Sequence, residues 1–248
     1  MTKPAFTKIR KNASAVKSQI LTARTKEFVL NRGATLVGVA SARSLRGAPK
    51  GHRPADFLPE ARSIVSLGLK INRAAILHLP KTVREYKIDY DVTNQKLNNI
   101  ARETAHFLIE QGHEALAIPA SPPYDETKNF GDISHKHAAA AAGLGNFGLN
   151  NLILTPGYGP YIRFVTILTT AKLKPDKQLP KSVCLGTKCM RCVEACPSGA
   201  IRSPKQDAMK GWCIDKEKCQ EYLTAFSGGS VCGLCIKACP VTGHLGQV

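Results

Sequence analysis

Val16, Ile20, Ala23 and Phe28 recur at helical spacing, which predicts a helix over 12–32 that stops at Gly33. Residues 35–40 and 63–71 are near-continuous apolar runs bounded by turn formers, and this predicts two buried strands. Between them Gly47, Pro49, Gly51, Pro54 and Pro59 interrupt any regular element, so 41–60 is expected to be a loop. Leu97, Ile100, Thr104, Phe107 and Leu108 repeat every three or four residues, predicting a helix over 92–111 that ends at Gly112. Residues 72–90, with Pro80, Tyr86 and Tyr90, follow neither period clearly.

The second half continues the alternation. Residues 114–120 predict a third strand, 124–134 a polar loop, 135–142 an alanine-rich helix and 143–148 a glycine-rich turn. Residues 152–155 and 163–169 predict two more strands, joined by Pro156-Gly-Tyr-Gly-Pro160. A lysine- and proline-bearing linker follows over 172–182. Strands alternating with helices make an α/β core, with the sheet either doubly wound or mixed. The expected division is a core over 1–175 and a small second domain over 176–248.

That second domain carries the candidate chemistry. All nine cysteines lie in it, in the order Cys184-x4-Cys189-x2-Cys192-x3-Cys196-Pro197, Cys213, and Cys219-x12-Cys232-x2-Cys235-x3-Cys239-Pro240. A cubane cluster needs one thiolate per iron from different directions. A Cys-x2-Cys-x3-Cys-Pro run supplies this, because the cysteine before proline ligates the other cluster of a two-cluster ferredoxin. On this logic Cys184, Cys189, Cys192 and Cys239 hold one [4Fe–4S] cluster, and Cys196, Cys219, Cys232 and Cys235 hold the other. Cys213 is spare, with a substitution for Cys184 or Cys219 left open. Four residues separate Cys184 from Cys189 where two are usual, and Gly186 and Thr187 can bulge to absorb the extra length. Zinc also takes Cys-x2-Cys pairs, but nothing in a zinc site calls for the Cys-Pro ending twice.

Charge widens the list of partners. A net charge of +17 favours anionic ones, an acidic redox protein or RNA among them. Lys188, Arg191, Lys210, Lys216, Lys218 and Lys237 crowd the cysteines, and positive charge near a negatively charged cluster raises its potential. No apolar run reaches the ~18 residues of a membrane span, and the N-terminal residues lack a signal-peptide core, so a cytoplasmic location is expected.

In the core, Gly143-Leu-Gly145-Asn-Phe-Gly148 spells G-x-G-x-x-G, but it follows a helix and precedes a strand, the reverse of a dinucleotide fingerprint. A tight turn that lets backbone approach a ligand or a packed neighbour is the better reading. His135 and His137, at i and i+2, point to different helix faces and do not pair as metal ligands. Together with Asp132, Tyr86 and Tyr90 they are candidate proton donors or ligand contacts.

Three core segments and one cysteine segment carry a family resemblance: Pro59-Glu-Ala-Arg-Ser-Ile-Val65, Ala142-Gly-Leu-Gly145 continuing through Asn150-Asn-Leu-Ile-Leu-Thr-Pro156, Tyr158-Gly-Pro-Tyr-Ile-Arg163, and Cys219-Gln-Glu-Tyr-Leu-Thr224. With the double Cys-Pro motif, they resemble the epoxyqueuosine reductase and reductive dehalogenase superfamily. The resemblance implies a nitroreductase-like core that binds cobalamin, joined to a ferredoxin-like domain with two [4Fe–4S] clusters. Electrons then pass through the clusters to the cobalt. It also implies a reduced ferredoxin- or flavodoxin-type donor, and Gly143, Gly145 and Asn150 as corrinoid-facing residues. The sequence departs from the family at the turn, which reads Gly145-Asn-Phe-Gly148-Leu-Asn150 where the family has Gly-Trp-Ile-Gly-Lys-Asn. It departs again where Asn129 stands at the position of the family's proton-donating aspartate. The competing reading is a non-catalytic electron carrier serving a partner enzyme.

Overall fold

A strand without a polar face has to be covered on both sides, and this requirement organises the core. The structure, a computed structural model, describes residues 3–121, 131–201, 206–207, 211–212, 214–228 and 231–241. Its core elements are α1 (Lys3–Asn31), β1 (Leu36–Ser41), the one-turn α2 (Pro54–Phe57), β2 (Ser63–Lys70), α3 (Arg73–Leu77), α4 (Arg84–Glu110), β3 (Ala115–Ile118), α5 (His135–Ala141), the short β4 (Asn146–Phe147) and β5 (Ile153–Leu154), and β6 (Ile162–Thr169). The cysteine-bearing part adds α6 (Arg191–Glu194), β7 (Gln206–Asp207), β8 (Gly211–Trp212), α7 (Lys216–Ser227) and α8 (Leu234–Lys237).

The main sheet has the order β1-β2-β6-β3, and every neighbouring pair is antiparallel. A doubly wound parallel sheet is therefore ruled out, and the core is a mixed α/β layer on an antiparallel sheet. Val65, Leu67, Leu69, Val165 and Ile167 point to one face, where Val29 of α1 and Leu97, Ile100 and Leu108 of α4 cover them. Ile64 and Leu168 point to the other face, against Ala138 of α5 and Ile133.

Two sequence expectations shift. The apolar run 152–155 does not pair with β6; its centre, β5, pairs with β4 in a small hairpin of its own. The residues of 72–90 that follow no clear period are helical over much of their length. Asn72 caps α3 by accepting from the Ala74 amide at 2.9 Å, and α4 begins at Arg84 rather than near 92.

The linker is bound to the core. Lys174 N donates to Thr22 Oγ1 at 2.7 Å, Lys26 pairs with Asp176 at 2.6 Å, and the other Asp176 oxygen accepts from Val39 N at 2.8 Å. Asn146 then holds the Lys181 carbonyl at 2.9 Å. Past that strap the cysteine-bearing part packs directly on the core, with Val231 and Ile236 among Ile71, Leu79, Tyr86 and Tyr161. Lys237 Nζ adds a polar tie, donating to the carbonyls of Leu77 and Leu79. Among the described residues no helix is long and apolar enough to cross a membrane.

Candidate functional site

The two Cys-x2-Cys loops fold alike. In each, the residue after the first cysteine is left-handed, Met190 at φ 54 and Gly233 at φ 76, and a single helical turn follows with the second cysteine in it. The left-handed residue turns the chain so that both cysteines face the same side. The extra length between Cys184 and Cys189 is taken up by Gly186 at φ 61 and a 3-10 turn over Gly186–Lys188.

The eight described cysteines are free thiols. Burial pushes the Cys192 thiol up, and Cys184 and Cys189 push it further. Burial raises Cys239 to about 11, with Cys184, Cys192 and Cys189 adding to the shift. Cys219 is raised by burial and then by Cys196 and Cys232, and Cys235 by burial and then mainly by Cys232 and Cys219. Thiols within each expected set act on one another, and Cys192 of the first set also acts on Cys235 of the second. Cys184, Cys189, Cys192 and Cys239 line one small recess with Leu149, Asn150 and Leu154. Burial raises five of these thiols, Cys192, Cys219, Cys232, Cys235 and Cys239, and thiols that favour the protonated form are stabilised as thiolates by iron; Cys196 is instead lowered, burial being outweighed by hydrogen bonds from Ser198 and nearby backbone. The donor set fits two clusters. Cys213 lies outside the described residues.

The core residues expected to act on a ligand lie in separate places. Asp132 is exposed, and its backbone carbonyl accepts from His52 Nδ1 at 3.2 Å. His135 contacts Thr166 Oγ1 at 2.8 Å through Nδ1 and the Pro119 carbonyl at 2.9 Å through Nε2. Burial, with Arg163 adding to it, presses its pKa down to about 4. The neutral ring therefore donates from Nε2–H and accepts at Nδ1, with both nitrogens committed to the fold. His137 points elsewhere, with Nδ1 2.7 Å from Ser134 Oγ and its ring tilted against Phe147.

Tyr90 belongs to a different cluster, one that sequence reading missed. Its hydroxyl lies 2.8 Å from Ser121 Oγ, and the Arg163 guanidinium sits 3.8 Å above its ring. Arg163 donates to Asn94 at 2.6 Å and to Ser121 at 2.7 Å. Ser121 is itself left-handed, at φ 65. The available signal was Asn94, a polar residue on the apolar stripe of α4 one turn before Leu97. Tyr86, on the same stripe, is buried and packs on Tyr90 edge to face.

The glycine turn faces protein. A side chain at Gly145 would sit 2.5 Å from the Leu154 carbonyl oxygen, and one at Gly143 would strike the Lys177 carbonyl oxygen. Asn150 is buried, accepting from Leu152 N at 3.2 Å and donating to the Cys235 carbonyl at 3.4 Å. Beside it, Lys136 Nζ donates to the Asn151 carbonyl at 3.0 Å.

Residues 184–242 match the 4Fe-4S dicluster domain. The chain is 26% identical to the epoxyqueuosine reductase of Bacillus subtilis over 186 residues, 71% of this chain and 42% of that protein. It is 27% identical to a tetrachloroethene reductive dehalogenase of Desulfitobacterium hafniense over 206 residues, 77% of this chain and 34% of that one. The chain is a distant homologue of both enzymes. It spans less than half the length of either relative. Its fold matches that of an epoxyqueuosine reductase solved with an epoxyqueuosine-modified tRNA-Tyr stem loop, with a TM-score of 0.62 at 21% identity over 89% of this chain and 65% of that one. The dicluster match agrees with eight cysteine ligands for two [4Fe–4S] clusters. They also make the antiparallel α/β core, followed by the cluster domain, the arrangement of a known fold.

Proposed function

We propose that this homologue is an iron–sulfur oxidoreductase that passes electrons through its two clusters to an acceptor at the α/β core. The observation that carries the reading is that Cys235 packs on the apolar cluster that holds Tyr86, and that Tyr90, on the same cluster, lies under the Arg163 guanidinium. A cluster held there lies near the polar group of Tyr90, Asn94, Ser121 and Arg163. A carrier that merely exchanged electrons at its surface has no need of such a group.

The resemblance implies a corrinoid as the acceptor, which would supply a strongly reducing metal centre when bound. The residues expected to face it do not form a surface for it: Gly143 and Gly145 are backed by Lys177 and Leu154, and Asn150 is tied to the cysteine loop. A corrinoid held by these three residues does not fit, and no step is routed through one. The polar cluster of Tyr90, Asn94, Ser121 and Arg163 is the better place for an acceptor. His135, bound to Thr166 and to the Pro119 carbonyl, is a fixed neutral ring rather than a proton donor. The donor we propose is a ferredoxin- or flavodoxin-type protein, matched by the exposed Lys188 and Arg191 beside the first set of cysteines. RNA remains a candidate partner on the +17 charge, since the structurally similar reductase was solved with a tRNA stem loop.

One observation favours the carrier reading. The glycine turn, which the resemblance marks as ligand-facing, is closed by the protein itself. Anaerobic purification separates the two. Iron near eight per chain is expected for two clusters. Cobalamin titrated into that sample, with its visible spectrum followed, gives a stoichiometric shift if the acceptor is a corrinoid. If none binds, and no other acceptor is reduced faster than by a plain ferredoxin, the oxidoreductase reading fails and the carrier stands.

A further inference from the structure

Hydrogen-bond donors outnumber acceptors in the polar cluster of the core, and its bonds can be assigned one by one. Tyr90 and Asn94, at i and i+4, share a face of α4. Arg163, near the start of β6, reaches that face, and Ser121 lies just past β3. Arg163 Nε can only donate, so the Asn94 atom 2.6 Å from it is the amide oxygen. The Asn94 amide nitrogen is then left to donate to Ser121 Oγ at 3.1 Å. Arg163 Nη2 donates to the same oxygen at 2.7 Å. A serine hydroxyl accepts two bonds and donates one. Both acceptor positions of Ser121 are thus filled, and its own proton goes to the Tyr90 oxygen at 2.8 Å. The Tyr90 proton has no acceptor among the described residues, and neither have the N–H groups of Arg163 Nη1.

The charge of Arg163 is unanswered as well. The carboxylates of the same helix are engaged elsewhere: Glu85 accepts from Thr82 at 2.8 Å, Asp89 accepts from the Asn72 amide at 2.8 Å, and Asp91 pairs with Lys87 at 2.9 Å. Among the described residues no carboxylate pairs with Arg163, whose partners are an amide, a hydroxyl and the face of the Tyr90 ring. Tyr90 and Arg163 are half-buried beside a buried Asn94, so part of each is open to solvent. A guanidinium presents its N–H groups as a planar fork that matches a carboxylate or a phosphate, and a half-buried pair is screened by salt less than an exposed one. We propose that Tyr90 and Arg163 bind an oxyanion, a carboxylate or phosphate carried by the acceptor, to which Arg163 Nη1 and the Tyr90 hydroxyl donate. Asn94 and Ser121 hold the two donors in place and take up the rest of their hydrogen bonds. The proposal rests on the reading of this cluster as the acceptor site and adds the chemical class of what enters it.

Isothermal titration calorimetry of the anaerobic holoprotein tests it, with acetate and inorganic phosphate as probes and acetamide as the neutral control. At least one of the anions is expected to bind saturably, about tenfold or more tighter than acetamide, and the one that does so names the head group. Tyr90→Phe removes a single hydroxyl and should weaken that anion about tenfold, the loss of one hydrogen bond to a charged group. Arg163→Gln keeps an N–H donor for Ser121 but removes the charge, and binding should be lost. Iron content and thermal midpoint, read on the same samples, show that each variant is folded; if Arg163→Gln does not fold, Tyr90→Phe decides alone. Anions that bind no better than acetamide overturn the proposal. So does anion binding that folded variants leave unchanged, which would place it elsewhere on the basic surface and leave Arg163 a strut between segments. The outcomes separate from those of the acceptor reading, because binding needs no electron flow. An anion bound in a protein that reduces no acceptor faster than a plain ferredoxin sinks that reading alone; an acceptor reduced by a protein that binds neither anion sinks this one alone.

Discussion

Asn150 donates its side-chain amide to the backbone carbonyl of Cys235 across 3.4 Å, and its other side-chain atom accepts from Leu152 N. One buried side chain thus fixes the loop after the glycine turn and the second cysteine motif together. Asn150→Ala removes both bonds and strands polar backbone in a buried place, a loss of about 1–3 kcal/mol. Asn150→Asp keeps the acceptor but sets a carboxylate against the Cys235 carbonyl. Both variants are expected to lower the thermal midpoint and to hold less iron than wild type. Equal iron at equal stability would mean that the link is incidental.

Gly233 makes a further contact between the halves. A side chain there would lie 2.8 Å from both Leu79 and the Tyr86 ring, at a φ of 76 that favours glycine. Gly233→Ala is expected to destabilise the protein by about 1–2 kcal/mol from the backbone alone, with more from the clash. Gly51→Ala is the control: its φ is 88 but nothing lies within 4 Å, so it carries the backbone cost without the clash. Denaturant midpoints of the two variants should differ; if they coincide, the packing of Gly233 on Tyr86 contributes nothing.

His135 gives a pH signature. Its folded pKa, about 4, lies below the ordinary value of 6.5, so the unfolded chain binds the proton more readily. Its contribution is fully present above pH 6.5 and is lost as the pH falls toward 4. The difference of about two and a half units corresponds to an upper bound on the order of 3 kcal/mol. His135→Gln keeps a donor and an acceptor but cannot titrate. The wild-type protein should lose more stability than this variant between pH 6.5 and pH 4.5, measured by urea unfolding under anaerobic conditions. Parallel pH curves for the two proteins would contradict the buried neutral ring.

The chemistry that could be read from sequence was local. Within each loop the cysteines sit three to five residues apart, Cys184, Cys189 and Cys192 in one and Cys232 and Cys235 in the other, so a two-cluster domain was visible in the spacing. The central strands were visible too, since runs such as 63–70 leave no polar face. What was hidden depended on distant partners. Residues 152–155 have the composition of a strand, yet the glycine turn just before them provides a nearer partner than β6. The start of α4 was missed because Pro80 and two tyrosines obscured it, although Tyr86, Tyr90, Thr93 and Leu97 continue the apolar stripe of the helix. The polar cluster draws Asn94, Ser121 and Arg163 from three separate segments, and nothing local to any of them announces the other two. His135 and Asp132 were conspicuous by residue type; the structure gives the first a fixed neutral role and leaves the second exposed.

The approach of the donor can be tested at the first set of cysteines. Leu185, Lys188 and Arg191 are exposed there, with Cys184 and Cys189 partly so. An acidic carrier docking on this face is steered by the two cations, and removing rim charges acts mainly on the association rate. The double variant Lys188→Glu and Arg191→Glu is expected to be reduced about tenfold more slowly by an acidic ferredoxin or flavodoxin at low salt, with the gap closing as salt screens the charges. Reduction by dithionite, a small reagent that needs no docking, reports the intrinsic accessibility of the cluster and should change much less. Stopped-flow absorbance resolves both reactions on the same sample. A variant that slows equally with both reductants would point to a damaged cluster. One that slows with neither would move the docking face elsewhere, with the exposed surface of α7 near Tyr222 and Cys232 as the next place to test.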